Sequence, residues 1–368
     1  MSKTAKTPKP PDLNDEKREQ GSSFNPMGDK LVEIQPHPVP RDQPPTKGAR
    51  RMEDIMPERI NWLWPGYLAA GKLSLLIGDP GIGKSTLTHE IVARFSRGEP
   101  LPGTTTTFSP LNCGLCCRED DPADTIRPRL DAARADVSLV FVLDDVQTLP
   151  NDLVQLEANI RQHALKLVVI DPIVAFLSGK HDSYRDQDVR LALTPLVEVA
   201  QRTGCAVLAV MHLNKRQGVS ALYRAGGSIG FVGLARTAMM LAKDRDDPER
   251  RVLAQLKNNL AKERTAHWLR LVTAPGHEVA AIEWGEQCDL SADDLCGPPE
   301  SAESRSALNE AVALVRDQLA DGPKPQAEIK RRAKDAGIAE RTLNRARRVL
   351  RIPARKEVWA LPTQQVEP

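Results

Sequence analysis

Gly78, Gly83, Lys84 and Ser85 match the spacing G-x-x-x-x-G-K-[ST] without a gap, between the apolar run Leu73–Ile77 and an amphipathic stretch from Leu87 to Phe95. Glycines let a backbone curl until successive N–H groups point at phosphate oxygens. A helix opening at Lys84 adds unpaired N–H groups and the positive end of its dipole. The whole turn, Gly78, Asp79, Pro80, Gly81, Ile82, Gly83, Lys84, Ser85 and Thr86, is therefore expected to cradle the phosphates of ATP. Lys84 would neutralise the β- and γ-phosphates, and Ser85 would place its hydroxyl on Mg²⁺.

Such a loop needs a carboxylate on the metal side. Leu165–Ile170 is a run rich in β-branched residues that ends in Asp171, the position of a Walker B aspartate and the expected second Mg²⁺ residue. The short run Gly114–Cys117 leads to Glu119, at the C-terminal lip of a strand, where open α/β sheets keep their chemistry. Cys205–Met211 runs into His212. A lone histidine is commonly structural, but at the end of this core strand it is placed to sense the γ-phosphate or its water.

The elements that must hold these residues alternate. Helices are expected at Ser85–Arg97, Pro122–Ala135, Leu153–His163 and Val189–Arg202, with a further strand at Leu139–Leu143. The pattern predicts an α/β fold with a mostly parallel sheet flanked by helices. Arg251–Asn259, Thr265–Thr273 and Val279–Trp284 alternate like antiparallel strands that extend the sheet. Trp62, Trp64 and Tyr67 precede the loop strand and read as a strap on the sheet edge, with an adenine-side or subunit contact as the sharper alternative.

Composition narrows the classes. The chain has 368 residues, 27% of them charged, with a net charge of +2 and only 4% aromatic residues. A balanced charge names no partner by itself, and scarce aromatics make binding by stacked bases less expected than binding through a nucleic-acid backbone. The basic, polar start lacks the apolar core of a signal peptide, and no apolar run reaches the ~18 residues of a membrane span. A cytoplasmic location without a membrane partner is expected. Cys113, Cys116 and Cys117 form a C-x-x-C-C cluster on an expected buried strand. Alternation there would split Cys116 from Cys117, so reduced thiols are expected rather than a tetrahedral metal site.

Four segments follow: a proline-rich disordered tail over 1–50, an ATPase domain over 51–287, a linker over 288–305, and a small helical domain over 306–368. In the last, helices are expected at Leu308–Leu319, Pro325–Ala336 and Arg341–Leu350, with Lys356–Leu361 as a wing. At ~100° per residue, Leu343, Ala346, Val349 and Leu350 share one side of the third helix, and Arg341, Arg345 and Arg348 the other. This is expected to be a helix-turn-helix arrangement whose basic third helix contacts nucleic acid, duplex DNA at this unit, with a solvated basic face that binds protein or nothing as the alternative. Arginines on phosphates confer affinity, not sequence choice.

Taken together, Gly78–Thr86, Glu119, Asp171, His212 and the Gly227-Ser228 loop resemble the RecA-like ATPases of the RepA-type hexameric helicases, the AAA_25 family common in plasmids and phages; DnaB-type replicative helicases are more distant relatives. The resemblance covers about Asn61 to Trp284. It implies that Glu119 orients the attacking water, that Asp171 is the Walker B aspartate and that His212 is the sensor, although this chain has Met211-His212 where the family often has two histidines. Arg236 lies where the family carries a finger that reaches the neighbouring subunit's ATP, and Lys257 lies where DnaB-like relatives carry a basic finger. The sequence leaves both open. Lys215, Arg216 and Arg224 fall in the segment matching the loop that lines a central channel, and the C-terminal unit resembles the winged-helix tails of some members. The implied activity is that of a DNA-dependent, ATP-hydrolysing motor: a ring-forming, hexameric replicative helicase of plasmid or phage type, with single-stranded DNA in its channel. A recombination or repair ATPase without unwinding, and an ATP-switched DNA-binding regulator, are the alternatives.

Overall fold

Strand-forming runs that are apolar at every position call for a sheet covered on both faces, and this is what the chain builds. The computed structural model describes residues 50–105, 107–178, 183, 185–213, 229–245, 247–296, 302–350, 352 and 357–361. Residues 50–58, part of a first unit, hold one 3₁₀ turn, Met52–Asp54. The second unit, Arg59–Pro368, carries the elements below.

A short hairpin, β1 (Trp62–Trp64) and β2 (Leu68–Ala69), leads into β3 (Leu73–Gly78). Then follow α1 (Lys84–Arg97), β4 (Cys113–Cys117), α2 (Arg127–Ala132), β5 (Val140–Val142), α3 (Leu153–Gln162), β6 (Leu167–Asp171), α4 (Asp186–Thr203) and β7 (Ala206–His212). The chain continues through α5 (Ile229–Leu234), β8 (Thr237–Lys243), β9 (Arg250–Asn258), β10 (Ala266–Thr273) and β11 (Ala280–Cys288). The sheet has nine strands in the order β11-β10-β9-β8-β3-β7-β6-β4-β5. From β8 to β5 every pairing is parallel, and β9, β10 and β11 add on antiparallel. This is the mixed, mostly parallel, helix-flanked sheet of the expected α/β class.

Successive residues of a strand face opposite sides, and the core divides accordingly. Leu73, Leu75, Ile77, Val168, Ile170, Val207 and Ala209 pack under α3 and α4. Leu76, Leu115, Leu167, Val169, Leu208 and Val210 pack under α1, through Leu87, Ile91 and Phe95. The cysteines obey the same rule: Cys116 lies on the first face, while Cys113 and Cys117 lie on the second. Burial raises all three thiols, Cys117 to about 12. Trp64, 1% exposed, stacks on Tyr67 at 4.2 Å and meets Trp284 edge-on at 6.1 Å, while its indole N–H donates to Pro102 O at 3.0 Å. The aromatic segment is thus a strap across the antiparallel end of the sheet.

Between α5 and β8 the chain turns at Arg236, whose backbone N–H donates to Leu73 O at 2.9 Å and starts the pairing with β3. The expected linker over 288–305 is partly helical. Within it lie α6 (Ala292–Cys296) and the start of α7 (Ala302–Gln318). Ala292 and Leu295 explain why, since both belong to the core cluster of the sheet. Beyond are β12 (Lys324–Pro325), α8 (Gln326–Asp335), α9 (Glu340–Val349) and β13 (Val358–Trp359), with β12 and β13 pairing antiparallel. These helices close on their own core, in which Val315, Ile329, Leu343, Ala346 and Trp359 are buried. No helix among the described residues is long and apolar enough to cross a membrane.

The two-faced core makes a direct test possible. Leu208 on β7 is fully buried against the α1 side. Leu208→Ala should cost about 2–5 kcal/mol, as large-to-small changes in close-packed cores do. Urea unfolding measures it, and a midpoint unchanged from wild type would contradict the packing.

Candidate active site

Parallel strands end at the same edge, so the register decides which terminal residues meet. Gly78 pairs with His212 across β3 and β7, and Cys117 pairs with Asp171 across β4 and β6. The phosphate loop, Glu119, Asp171 and His212 thereby share the carboxyl edge of four strands. Gly78 must be glycine, because a Cβ there would lie 2.5 Å from Leu241 O on β8. Gly83, the residue before α1, has φ +101°, a conformation that L side chains rarely adopt. No side chain caps α1, which leaves its first-turn N–H groups for an anion.

Lys84 is the centre of the site. Its ammonium donates to Gly78 O at 3.1 Å and to Asp79 O at 2.9 Å, and lies 3.0 Å from His212 Nδ1. An ammonium has three protons and no lone pair, so these three acceptors satisfy it. Nδ1 of His212 must then accept, which leaves the proton on Nε2, free to donate outward. Burial, and next the Lys84 charge, hold His212 below its ordinary value, which keeps the ring neutral at pH 7. Burial also lowers Lys84, opposed by Asp171, Asp79 and Glu119.

Asp171 is raised to about 6 by burial, against the opposing pull of the Ser85 hydroxyl, which bonds it, and of Lys84; Asp120 and Glu119 raise it further. Glu119 is exposed and accepts no hydrogen bond from the described residues, yet its charge is felt at Lys84, Asp171 and His212. Such a carboxylate, facing water beside the phosphate loop, suits a residue that orients water. The donor set fits a magnesium nucleotide: the Ser85 hydroxyl and the Asp171 carboxylate already sit together, and the loop offers the Lys84 ammonium and the uncapped first-turn N–H groups of α1.

One neighbour escaped the sequence reading. Asp120, the residue after Glu119, takes a 2.6 Å ion pair from Arg129 of α2 and acts on Asp171 more strongly than Glu119 does. Beside this pair, His89 of α1 is 2% exposed, its Nδ1 has no partner among the described residues, and burial pushes it down to about 4. The adjacent acids Glu119-Asp120-Asp121 were a signal for a second carboxylate, but only the packing of α2 selects Asp120.

The two candidate fingers lie elsewhere. Arg236 precedes β8, at the edge opposite the phosphate loop. It is exposed, and its side chain has no partner among the described residues. Lys257 is close by, but its ammonium donates to Val232 O at 2.6 Å, Ala235 O at 2.8 Å and Gly233 O at 3.3 Å, closing the C-terminal end of α5. Burial, together with Arg236 and Arg190, holds it below its ordinary value. Lys215, Arg216, Arg224 and the Gly227-Ser228 loop lie outside the described residues.

On α9 part of the expected basic side meets acids of the same chain, and Val349, expected on the apolar side, is 43% exposed. Arg341 pairs with Asp294 at 3.0 Å, and Arg348 also acts on Asp294. Arg347, not singled out by the spacing, is 3% exposed and pairs with Asp289 at 2.6 Å. The reason is tertiary: α9 lies against the end of β11 and α6, so its cations meet acids that the helical pattern does not contain.

Two outcomes test the site. Lys84→Ala should abolish ATP turnover and weaken nucleotide binding while circular dichroism stays that of wild type; near-normal hydrolysis would remove the site assignment. For Asp171 the sign follows from its raised value. The proton is held until about pH 6, so below that pH it competes with Mg²⁺ for the carboxylate. Hydrolysis at subsaturating Mg²⁺ should therefore fall as pH drops through about 6, and excess Mg²⁺ should move the midpoint lower. A pH profile indifferent to Mg²⁺ would exclude Asp171 as the titrating group.

Residues 40–218 match the family model described as an AAA domain, AAA_25. Among curated proteins the chain is similar to DNA repair protein RadA of Halalkalibacterium halodurans, 25% identical over 187 residues, which cover 50% of this chain and 37% of that protein. It thus spans little more than a third of that relative's length. Among solved structures it is similar to the KaiC-like protein PH0186 of Pyrococcus horikoshii OT3, 14% identical, with a TM-score of 0.45 over 61% of this chain and all of the other. With its phosphate loop and Asp171 on neighbouring ends of one parallel sheet, the chain carries a RecA-like P-loop ATPase domain that matches the AAA_25 family model over residues 40–218.

Proposed function

We propose that this ATPase is a DNA-dependent motor that works as a ring, a replicative helicase of plasmid or phage type. The observation that supports the reading is the placement of one exposed arginine that has no side-chain partner among the described residues. Lys84, Glu119, Asp171 and His212 gather at the carboxyl edge of the sheet, whereas Arg236 lies beside Leu73 at the opposite edge. The six residues of β3 separate the two edges, about 20 Å at the rise of an extended strand. Arg236 is therefore remote from its own subunit's phosphate loop and, being exposed, suits a site supplied by a neighbouring copy. Lys257, already engaged by three carbonyls, is the weaker candidate.

Phosphoryl transfer is mostly positioning and charge stabilisation. Ser85 and Asp171 would hold Mg²⁺, which would supply neutralisation of phosphate charge. Lys84 exchanges one of its acceptors for a phosphate oxygen. Glu119 orients the water, and His212 offers Nε2–H toward the γ-phosphate. A cation acting in trans contributes about 10³–10⁵ in rate and makes turnover depend on assembly. Lys215, Arg216 and Arg224 are the proposed contacts to a single strand, and Arg341, Arg345 and Arg348 the proposed contacts to duplex DNA.

The similarity to RadA, by name a DNA repair protein, favours a second reading: a repair ATPase that binds DNA without unwinding it. Steady-state hydrolysis with and without single-stranded DNA, at several protein concentrations and followed by a forked-duplex assay, separates the two. Strand-stimulated turnover that rises with protein concentration, together with strand separation, is expected of the motor. Stimulated turnover with an intact fork would select the repair reading, and turnover indifferent to DNA would overturn both.

A further inference from the structure

Four observations concern the face that α9 turns toward the ATPase module. Asp289 follows β11, and Asp294 lies on α6, which is fastened to the sheet core through Ala292 and Leu295. Both acids therefore belong to the ATPase body. Arg341 and Arg347 belong to α9, whose Leu343, Ala346 and Leu350 are in the separate C-terminal core. The two ion pairs, Arg347 to Asp289 at 2.6 Å and Arg341 to Asp294 at 3.0 Å, thus cross from one packed core to the other. Arg347 is also anchored at home: its guanidinium lies 5.8 Å from the centroid of the buried Trp359 ring.

Asp294 is prepared for this contact. Burial alone would raise it, but the Ser291 N–H at 3.0 Å and hydroxyl at 2.8 Å, with Arg341 and Arg348, outweigh burial and hold it ionised. Beside the pairs an open cleft of about 840 Å³ remains, lined among others by Asp244, Trp268, Asp289, Arg347 and Arg348. The contact is accordingly charged and only partly close-packed, unlike either core.

We propose that Asp289 and Asp294 form a phosphate-like acidic surface on the ATPase module that occupies the basic face of α9, so that nucleic acid and the ATPase module compete for the same arginines. The inference rests on the reading of α9 as a DNA-contacting helix. A guanidinium binds carboxylate and phosphate with the same fork of N–H donors. Arg341 cannot bond Asp294 and a phosphate fully at once, and Arg347 is closed to DNA while Asp289 holds it. Duplex binding therefore requires α9 to leave the acidic surface, and removing the acids frees it. A buried guanidinium without its carboxylate is unfavourable, so loss of Asp289 also weakens docking from the arginine side.

The test uses the full chain. Asp289→Asn with Asp294→Asn keeps the shapes and removes both charges. Binding of a fluorescein-labelled DNA duplex is read by anisotropy at low salt, beside basal ATP hydrolysis. Duplex affinity should rise about tenfold, within the usual range of coupling between sites, with basal hydrolysis retained. Adding Arg341→Ala and Arg348→Ala should remove the gain. Unchanged or weaker duplex binding by an active double variant overturns the proposal, as does a gain that survives loss of the two arginines. Should the double variant not fold, Asp294→Asn alone decides by the same criterion with a smaller rise, since Arg341 in that pair is 65% exposed. The motor reading fails by a different measurement, absence of single-strand stimulation in the wild type.

Discussion

A buried ammonium in a folded protein must find three acceptors or lose its proton, and Lys84 finds them in Gly78 O, Asp79 O and His212 Nδ1. Two come from its own loop and the third from a strand that starts more than a hundred residues later. That third contact exists because β7 pairs with β3 in the register that sets His212 against Gly78. The same register logic sets Asp171 against Cys117 and carries Glu119 and Asp120 just past the edge. The charge on Lys84, the neutrality of His212 and the raised Asp171 are therefore one coupled arrangement.

Coverage of both faces of the parallel strands leaves only their edges for chemistry. At the carboxyl edge, loops and helix starts supply N–H groups and polar side chains. At the other edge, Arg236 and Lys257 meet around α5, and the two cations differ in kind. Lys257 is absorbed by helix-terminal carbonyls, whereas the five donors of the exposed Arg236 meet no partner among the described residues. The antiparallel strands β9, β10 and β11 have a separate use. They cover the strap of Trp64 and Tyr67 and bring Trp284 against Glu90 of α1, whose carboxylate accepts from the indole at 3.2 Å. The helix that opens at the phosphate loop is thereby held from its second turn by the far end of the sheet.

The C-terminal helices show how a basic helix can be read in two ways. By pattern, α9 has an apolar side and a cationic side. In place, the cationic side lies next to Asp289, just after β11, and Asp294 of α6, and Arg347, between the two sides, becomes the most buried of its arginines. Charge complementarity inside one chain thus uses the groups that a helical-wheel argument reserves for a partner. The expected linker, similarly, is fixed where Ala292 and Leu295 find apolar surface on the sheet.

By itself the sequence determined the phosphate loop, the strands ending at Asp171 and His212, the helices between them and the antiparallel extension. Each of these is written in contiguous residues: glycine spacing for backbone shape, runs of β-branched residues for buried strands, and apolar repeats for helix faces. Glu119 was legible because a strand's end can be read from where its apolar run stops. Tertiary structure alone decided that Asp120 pairs with Arg129, that Lys257 caps α5, that Arg236 heads a strand opposite the loop, and that Arg347 meets Asp289. These depend on which elements become neighbours. Strand order and helix docking are set by burial summed over the whole core, and no local pattern of charged residues records the partner that such packing will bring.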